Sequence, residues 1–322
     1  MTAEKTLDFQ KRKIFYRTVG EGDPVVLLHG LPFDGNLWMP VLTLKANSKT
    51  QAPVADHSSL TEKFKFIIPD LPGSGASEMI DDMSMEGMAE VVKAILDKEH
   101  VLPIPWTGEN GAHPSPNQPA KNKDEYSTSE VSEWVTPPLG EPEGAALIGH
   151  SIGGYVALAF AEKYPEYLKG LGLFHSTAYP DSEERRTNRK KAIESAKNNG
   201  VRSFLKTMIP NLFSPNSKEK MPNTIDEFII RTNNFSADTF VSYYEAMMQR
   251  PDRTSVLKNL KIPMLIIAGK YDNAAPLNDL LKLCHLPEIS YFHILSDSGH
   301  MGMIEEVEKS NQILNDYLIN LS

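Results

Sequence analysis

Ala145-Ala146-Leu147-Ile148-Gly149-His150-Ser151-Ile152-Gly153-Gly154 is the stretch on which the reading of this chain turns. An apolar run enters a Gly-x-Ser-x-Gly turn, and a small-residue helical segment, Tyr155 to Glu162, leaves it. A turn this tight between strand and helix holds its serine in a strained backbone conformation with Oγ free, and the flanking glycines remove side chains that would collide. Ser151 is therefore presented as a nucleophile.

Similar apolar, β-branched runs recur along the chain at Val25 to His29, Phe66 to Pro69, Gly170 to Phe174, Pro263 to Ala268 and Ile289 to Leu295, with helical patterns between them. That alternation predicts an α/β fold, a parallel sheet wrapped by helices. Lys13 to Thr18 is less apolar and precedes the turn Gly20 to Pro24, which predicts an antiparallel edge strand. Helices are expected at Met85 to Lys98, Ser151 to Lys163 and Ile304 to Leu321.

Between Phe174 and Pro263 the strand pattern stops and the chain reads as helix, the mark of an inserted lid. Its first helix opens at Asp181-Ser182-Glu183-Glu184 and ends at Asn198-Asn199-Gly200. A later one starts at Ser236 and carries Phe240, Tyr243, Tyr244, Met247 and Met248 on one face. The expected division is a core of residues 1–175 and 251–322 with a lid of residues 176–250. Residues 43–60 and 101–144 have no periodicity and read as long loops at the edge where strands begin. The second holds two of the three tryptophans, Trp106 and Trp134, which are expected to anchor the loops or a partner.

Composition bounds the function. A formal charge of −9 argues against binding nucleic acid or an anionic membrane, and no apolar run is long enough to span a bilayer. Cys284 is the only cysteine, so no internal disulfide and no cysteine-based metal cluster can form. The expected location is cytoplasmic. No metal-ligand spacing and no Gly-x-Gly-x-x-Gly after a strand occurs, so no metal and no cofactor are expected.

A serine nucleophile needs a base, and the base needs a carboxylate to fix its tautomer. His300 follows the last predicted strand and Asp272 the one before it, so both project with Ser151 from the carboxyl edge of the sheet. His150 is too close to the elbow to act as base, and Asp297 too close to His300 to act as its acid. The order Ser, Asp, His is that of the α/β-hydrolase triad.

Together with His29-Gly30-Leu31-Pro32 and Asp70-Leu71-Pro72-Gly73-Ser74-Gly75-Ala76-Ser77, these motifs resemble the α/β-hydrolase superfamily from about Val25 to Leu321. The resemblance implies a mostly parallel eight-stranded sheet with helices on both faces and a helical lid after the sixth strand. It also implies an oxyanion hole at the backbone N–H groups of Leu31 and Ile152. His29 and Asp70 are expected to order their loops. His175, at the exit into the lid, either touches substrate or is structural; it joins Phe33, Tyr243, Met247 and Met301 as expected pocket residues.

The expected activity is cofactor-free hydrolysis of a small to medium ester through an acyl-enzyme on Ser151. Carbon–carbon or lactone hydrolysis and acyl transfer use the same residues in the family, and a ligand receptor that keeps a slow hydrolase site is the alternative from another class. Arg185, Arg186 and Arg189, with Lys190 and Lys191, form a basic run that reads as a solvated helix face or as a docking patch for an acidic carrier protein or anionic acyl donor.

Overall fold

The computed structural model describes residues 2–44, 60–105 and 143–321. Eight strands form one sheet: β1 (Thr2–Phe9), β2 (Arg12–Val19), β3 (Asp23–Leu28), β4 (Phe64–Pro69), β5 (Ala145–His150), β6 (Leu168–Phe174), β7 (Met264–Gly269) and β8 (Ser290–Leu295). Their spatial order is β1-β2-β4-β3-β5-β6-β7-β8. β1 and β2, and β2 and β4, pair antiparallel; every other pair is parallel. All residues of β5 and β7 are buried, as expected of parallel strands covered on both faces.

One strand was missed. β1 lies outside β2, so Lys13 to Thr18 belongs to an interior strand and Thr2–Phe9 forms the edge. The hairpin between them turns through Gln10 (φ 53°) and Lys11 (φ 66°), neither of them glycine or asparagine, so the usual hairpin signal is absent. Lys11 is held by its N–H donating to Asp8 Oδ1 at 3.0 Å. The charged, largely exposed face of β1 suits an edge that must not recruit another strand.

The helix Ile152–Lys163 lies so close to the sheet that its first turns tolerate no side chain. A Cβ on Gly149 would come within 2.2 Å of the Gly153 carbonyl, and one on Gly153 within 2.6 Å of the Leu28 carbonyl oxygen. Helix Met85–Lys98, capped by Ser84 accepting from Gly87 N–H, packs beside it. The chain crosses from β4 to β5 on the other side of β3, so the sheet changes direction at β3 and opens a crevice at its carboxyl edge.

Between β6 and β7 the described chain is helical, with Glu183–Asn199, Val201–Met208, Pro215–Lys220, Pro222–Arg231 and Ala237–Gln249 in turn. Ser182, Ser214 and Ser236 cap three of these by accepting from backbone N–H groups. Buried Asp181 ties two parts of the segment together: it pairs with Arg189 at 2.5 Å and with Arg250, which follows the helix Ala237–Gln249, at 2.9 Å. The Arg250 guanidinium lies 4.0 Å above the Tyr155 ring, which ties this clamp to the helix after Ser151.

The expected loops 43–60 and 101–144, with Trp106 and Trp134, fall almost wholly outside the described residues. The ends of the second do meet: Leu102 bridges Glu143 and accepts from Gly144 N–H at 2.8 Å. No helix among the described residues is long and apolar enough to cross a membrane.

Replacing Asp181 by Asn keeps its shape but strips the counter-charge from two arginines. Breaking a buried ion pair from one side costs about 3 kcal/mol or more. Urea unfolding of the full chain should show this loss as a lower midpoint with an unchanged slope; an unchanged midpoint would mean that Arg189 and Arg250 find other partners.

Candidate active site

Ser151 sits between β5 and the helix Ile152–Lys163 with φ 53° and ψ −120°. Its N–H donates to the Phe174 carbonyl at 3.0 Å, and its own carbonyl accepts from Ser176 Oγ at 2.7 Å and Gly154 N–H at 2.9 Å. The strained backbone is thus held from both sides. Serine is a favoured N-cap, yet here its side chain makes no capping bond. The conformation turns Oγ away from the helix and leaves it free for other chemistry.

Asp272 stands in the turn after β7 and is buried. One oxygen, Oδ1, accepts from Ala274 N–H at 2.8 Å and Ala275 N–H at 2.9 Å. The other, Oδ2, lies 2.8 Å from His300 Nδ1 and 3.0 Å from His175 Nδ1. Burial pushes this carboxyl group up, but the neighbouring His300 charge and the two imidazole N–H donors outweigh it and hold Asp272 well below the usual carboxylate range.

His300 stands after β8 in a loop fixed from several directions. Its N–H donates to Leu212 O at 2.6 Å, and its carbonyl accepts from His150 Nε2 at 2.9 Å. Glu305 accepts from Gly299 N–H, Met301 N–H and Ser214 N–H, which fastens the loop to the helical segment. Burial first, and then nearby His300 and His175, hold His150 well below the ordinary histidine range, so it stays neutral.

Ser151 and His300 open onto one cavity of about 590 Å³, a size suited to a small organic molecule. Leu31 and Met247 line it. Ile152 opens the helix after Ser151, where the first N–H groups have no intrahelical acceptor. His29 fixes the Leu31 turn, with Nδ1 bonded to Gly30 O at 3.0 Å and Nε2 accepting from Leu71 N–H at 2.8 Å. Asp70 accepts from Gly35 N–H at 2.9 Å and Ala76 N–H at 3.0 Å.

Four expected pocket residues lie elsewhere. Phe33 is buried edge-on against Phe228, with ring centroids 5.1 Å apart. Tyr243 donates to Pro72 O at 2.9 Å, Met301 is fully buried, and His175 sits behind Asp272. Arg185, Asn188, Arg189, Ala192 and Ser195 also line the cavity, joined by Lys191, Tyr155 and Tyr244; the sequence marks Arg185, Arg189 and Lys191 as part of the basic run, whereas nothing in it singles out Asn188, Ala192 and Ser195. The first five follow the spacing of a single helical face, but that face is polar, so no apolar stripe marks it in the sequence. Within the basic run, Arg185 and Arg189 face the cavity while Arg186 pairs with Glu183 at 2.9 Å.

His175, Asp272 and His300 offer donor atoms within 4.8 Å of one another, a clustering able to hold a metal ion. Both Nδ1 atoms instead face a carboxylate oxygen at hydrogen-bond distance, so they carry protons, and we assign no metal ligand here.

A model of the Alpha/beta hydrolase family matches residues 25–310, and the chain belongs to that family. It is similar to the 2-hydroxy-6-oxononadienedioate/2-hydroxy-6-oxononatrienedioate hydrolase of Paraburkholderia phymatum, 31% identical over 183 residues that cover 55% of this chain and 62% of that enzyme. The chain thus spans less than two thirds of that relative. The 2-hydroxy-6-oxo-6-phenylhexa-2,4-dienoate hydrolase of Comamonas testosteroni is 22% identical, over 95% of this chain and 91% of that one. Among solved structures, a thermophilic esterase from Thermogutta terrifontis superposes with a TM-score of 0.74 at 24% identity, covering 100% of this chain and 99% of that one. The enol-lactonase of Burkholderia xenovorans superposes at 0.73 and 18% identity, covering 98% and 100%. Both share the fold.

Fluorophosphonate should label Ser151, and Ser151→Ala should abolish labelling. Asp272→Asn should slow it by roughly four orders of magnitude, because the amide holds His300 in the wrong tautomer. Unchanged labelling of either variant, read by mass spectrometry, would remove that residue from the mechanism.

Proposed function

We propose that the chain is a serine-dependent hydrolase that cleaves a carbon–carbon bond beside a ketone in an unsaturated keto acid, beneath a helical lid. The observation that carries this reading is the cavity: Ser151 and His300 share it with Arg185, Arg189 and Lys191, although the chain as a whole carries a formal charge of −9. Two of these cations are oriented by the protein, Arg189 by Asp181 and Arg185 by donating to Ala274 O at 2.8 Å. Three cations around a nucleophile suit a carboxylate-bearing substrate.

The relatives' names suggest the bond. A 2-hydroxy-6-oxo dienoate contains no ester or amide, so water can divide it only at a carbon–carbon bond next to the ketone. Ser151 Oγ attacks the ketone carbon as His300 takes its proton, and the N–H groups of Leu31 and Ile152 receive the oxyanion. Collapse breaks the bond to the neighbouring chain carbon. This requires the dienol to have first moved its 2-hydroxyl proton to the chain carbon beside the ketone; the electron pair of the broken bond then passes through the remaining double bond to the 2-oxo oxygen at the carboxylate end, and His300 returns the proton to that oxygen. Water, activated by His300, then releases the acyl group from Ser151 as a carboxylic acid.

An ester reaction would use the same residues, and the esterase expected from sequence remains the second reading. A neutral ester, however, gains nothing from three cations in the cavity. The test compares kcat/KM for 2-hydroxy-6-oxo-6-phenylhexa-2,4-dienoate with that for p-nitrophenyl butyrate. The dienoate should exceed the ester by about 100-fold, and Lys191→Glu should raise its KM about tenfold, the loss of about 1.4 kcal/mol of binding, while sparing the ester. The opposite preference would restore the esterase reading.

A further inference from the structure

His175 follows β6 with φ 51°, a conformation uncommon outside glycine although histidine is among the residues that adopt it, and it is fully buried. Its N–H donates to Ile267 O at 2.9 Å. Two glycines make room for the ring: a Cβ at Gly269 would lie 2.7 Å from His175 Cε1, and one at Gly302 would lie 2.4 Å from Nε2. A side chain at either position would displace the imidazole.

The ring meets Asp272 at Oδ2, the same oxygen that His300 uses, at 3.0 Å against 2.8 Å. A carboxylate oxygen only accepts, so His175 carries its proton on Nδ1. Nε2 is then a bare lone pair, and it is buried without a hydrogen-bond partner among the described residues. An unpaired acceptor is tolerated in protein interiors more readily than an unpaired N–H, which agrees with this tautomer. Burial holds the ring below the ordinary histidine range against the pull of Asp272. His175 is a neutral donor.

We propose that His175 is a positioning residue: by sharing Asp272 Oδ2 with His300 it fixes the carboxylate's orientation and limits how strongly Asp272 stabilises the His300 imidazolium. The inference rests on the Ser151–His300–Asp272 chemistry proposed above, though not on which substrate is cleaved. The charged and titratable groups around the ring are Asp272 from the turn after β7, His300 and Glu305 from the segment after β8, and His150 from β5, its ring centroid 6.1 Å away.

The sign of the effect follows from the shared oxygen. Removing the His175 donor leaves Oδ2 to His300 alone, which strengthens the imidazolium and keeps the base protonated to higher pH. The acid limb of the pH profile therefore moves up.

The experiment measures the rate of fluorophosphonate labelling of Ser151 against pH in the wild-type chain, His175→Phe and His175→Asn. Phe keeps the ring and loses the donor, whereas the Asn amide places an N–H near the position of Nδ1. The Phe variant should move the acid limb upward by about 0.5 to 1 pH unit and lower the plateau about tenfold, while Asn stays near wild type. An unmoved limb in the Phe variant, or equal shifts in both variants, would overturn the proposal in favour of simple packing. Failure of the wild-type protein to label would overturn the triad reading and this inference with it. Should the Phe variant not fold, nitrogen-15 NMR of histidine-labelled wild-type protein decides the matter: a His175 protonated only on Nδ1 supports the shared donor, and one protonated on Nε2 contradicts it.

Discussion

The close seating of helix Ile152–Lys163 on the carboxyl ends of β3 and β5 is the constraint from which the rest of the site follows. With Gly149 and Gly153 lacking side chains, the helix backbone approaches Leu28 O directly, and the turn that links strand to helix has room only for a residue at positive φ. Ser151 occupies it. Its backbone is held by Phe174 and Ser176 from β6 and the residues just beyond, so the strain is carried by neighbouring elements of the sheet and not by the loop alone. Loosen that contact and the Leu31 turn, the elbow and the His300 loop lose their common reference.

Around this seat the protein collects polar groups in a dry environment and accounts for most of them. Asp272 receives four donors, two backbone and two imidazole, and His300 is fixed through both its amide and its carbonyl. His150 contributes a single donor to the His300 carbonyl and remains neutral. Such an arrangement is already organised before any substrate binds, so little reorganisation is needed as charge develops on the ring. Glu305 and Leu212 tie the same loop to the helical segment over the cavity, which makes the position of the base depend on the position of that segment.

The motifs at the carboxyl edge were legible because each is local. A glycine-flanked serine after an apolar run, an aspartate after the next-to-last strand and a histidine after the last one need only the alternation of strands and helices to be brought to one edge. The parallel strands were legible for the same reason: burial on both faces produces unbroken apolar runs. β1 escaped because its hairpin turns on Gln10 and Lys11 and its outer face is charged. Arg185 and Arg189 were legible only as part of a basic run, and Asn188, Ala192 and Ser195 not at all, because the five share a helical face without sharing hydrophobicity and so resemble a surface helix until that face is placed beside Ser151.

Local chemistry and periodicity in the chain were thus enough to establish the α/β architecture and to mark Ser151, Asp272 and His300, since a strained turn and the ends of strands are written in short stretches of residues. Tertiary structure alone decided that Arg185 and Arg189 look inward, that Phe33, Tyr243 and Met301 lie outside the cavity, and that His175 meets Asp272 from behind. Those outcomes depend on how one element is laid against another distant in the chain, and on which side chains the glycines at 269 and 302 leave room for. Spacing along a sequence carries no record of either.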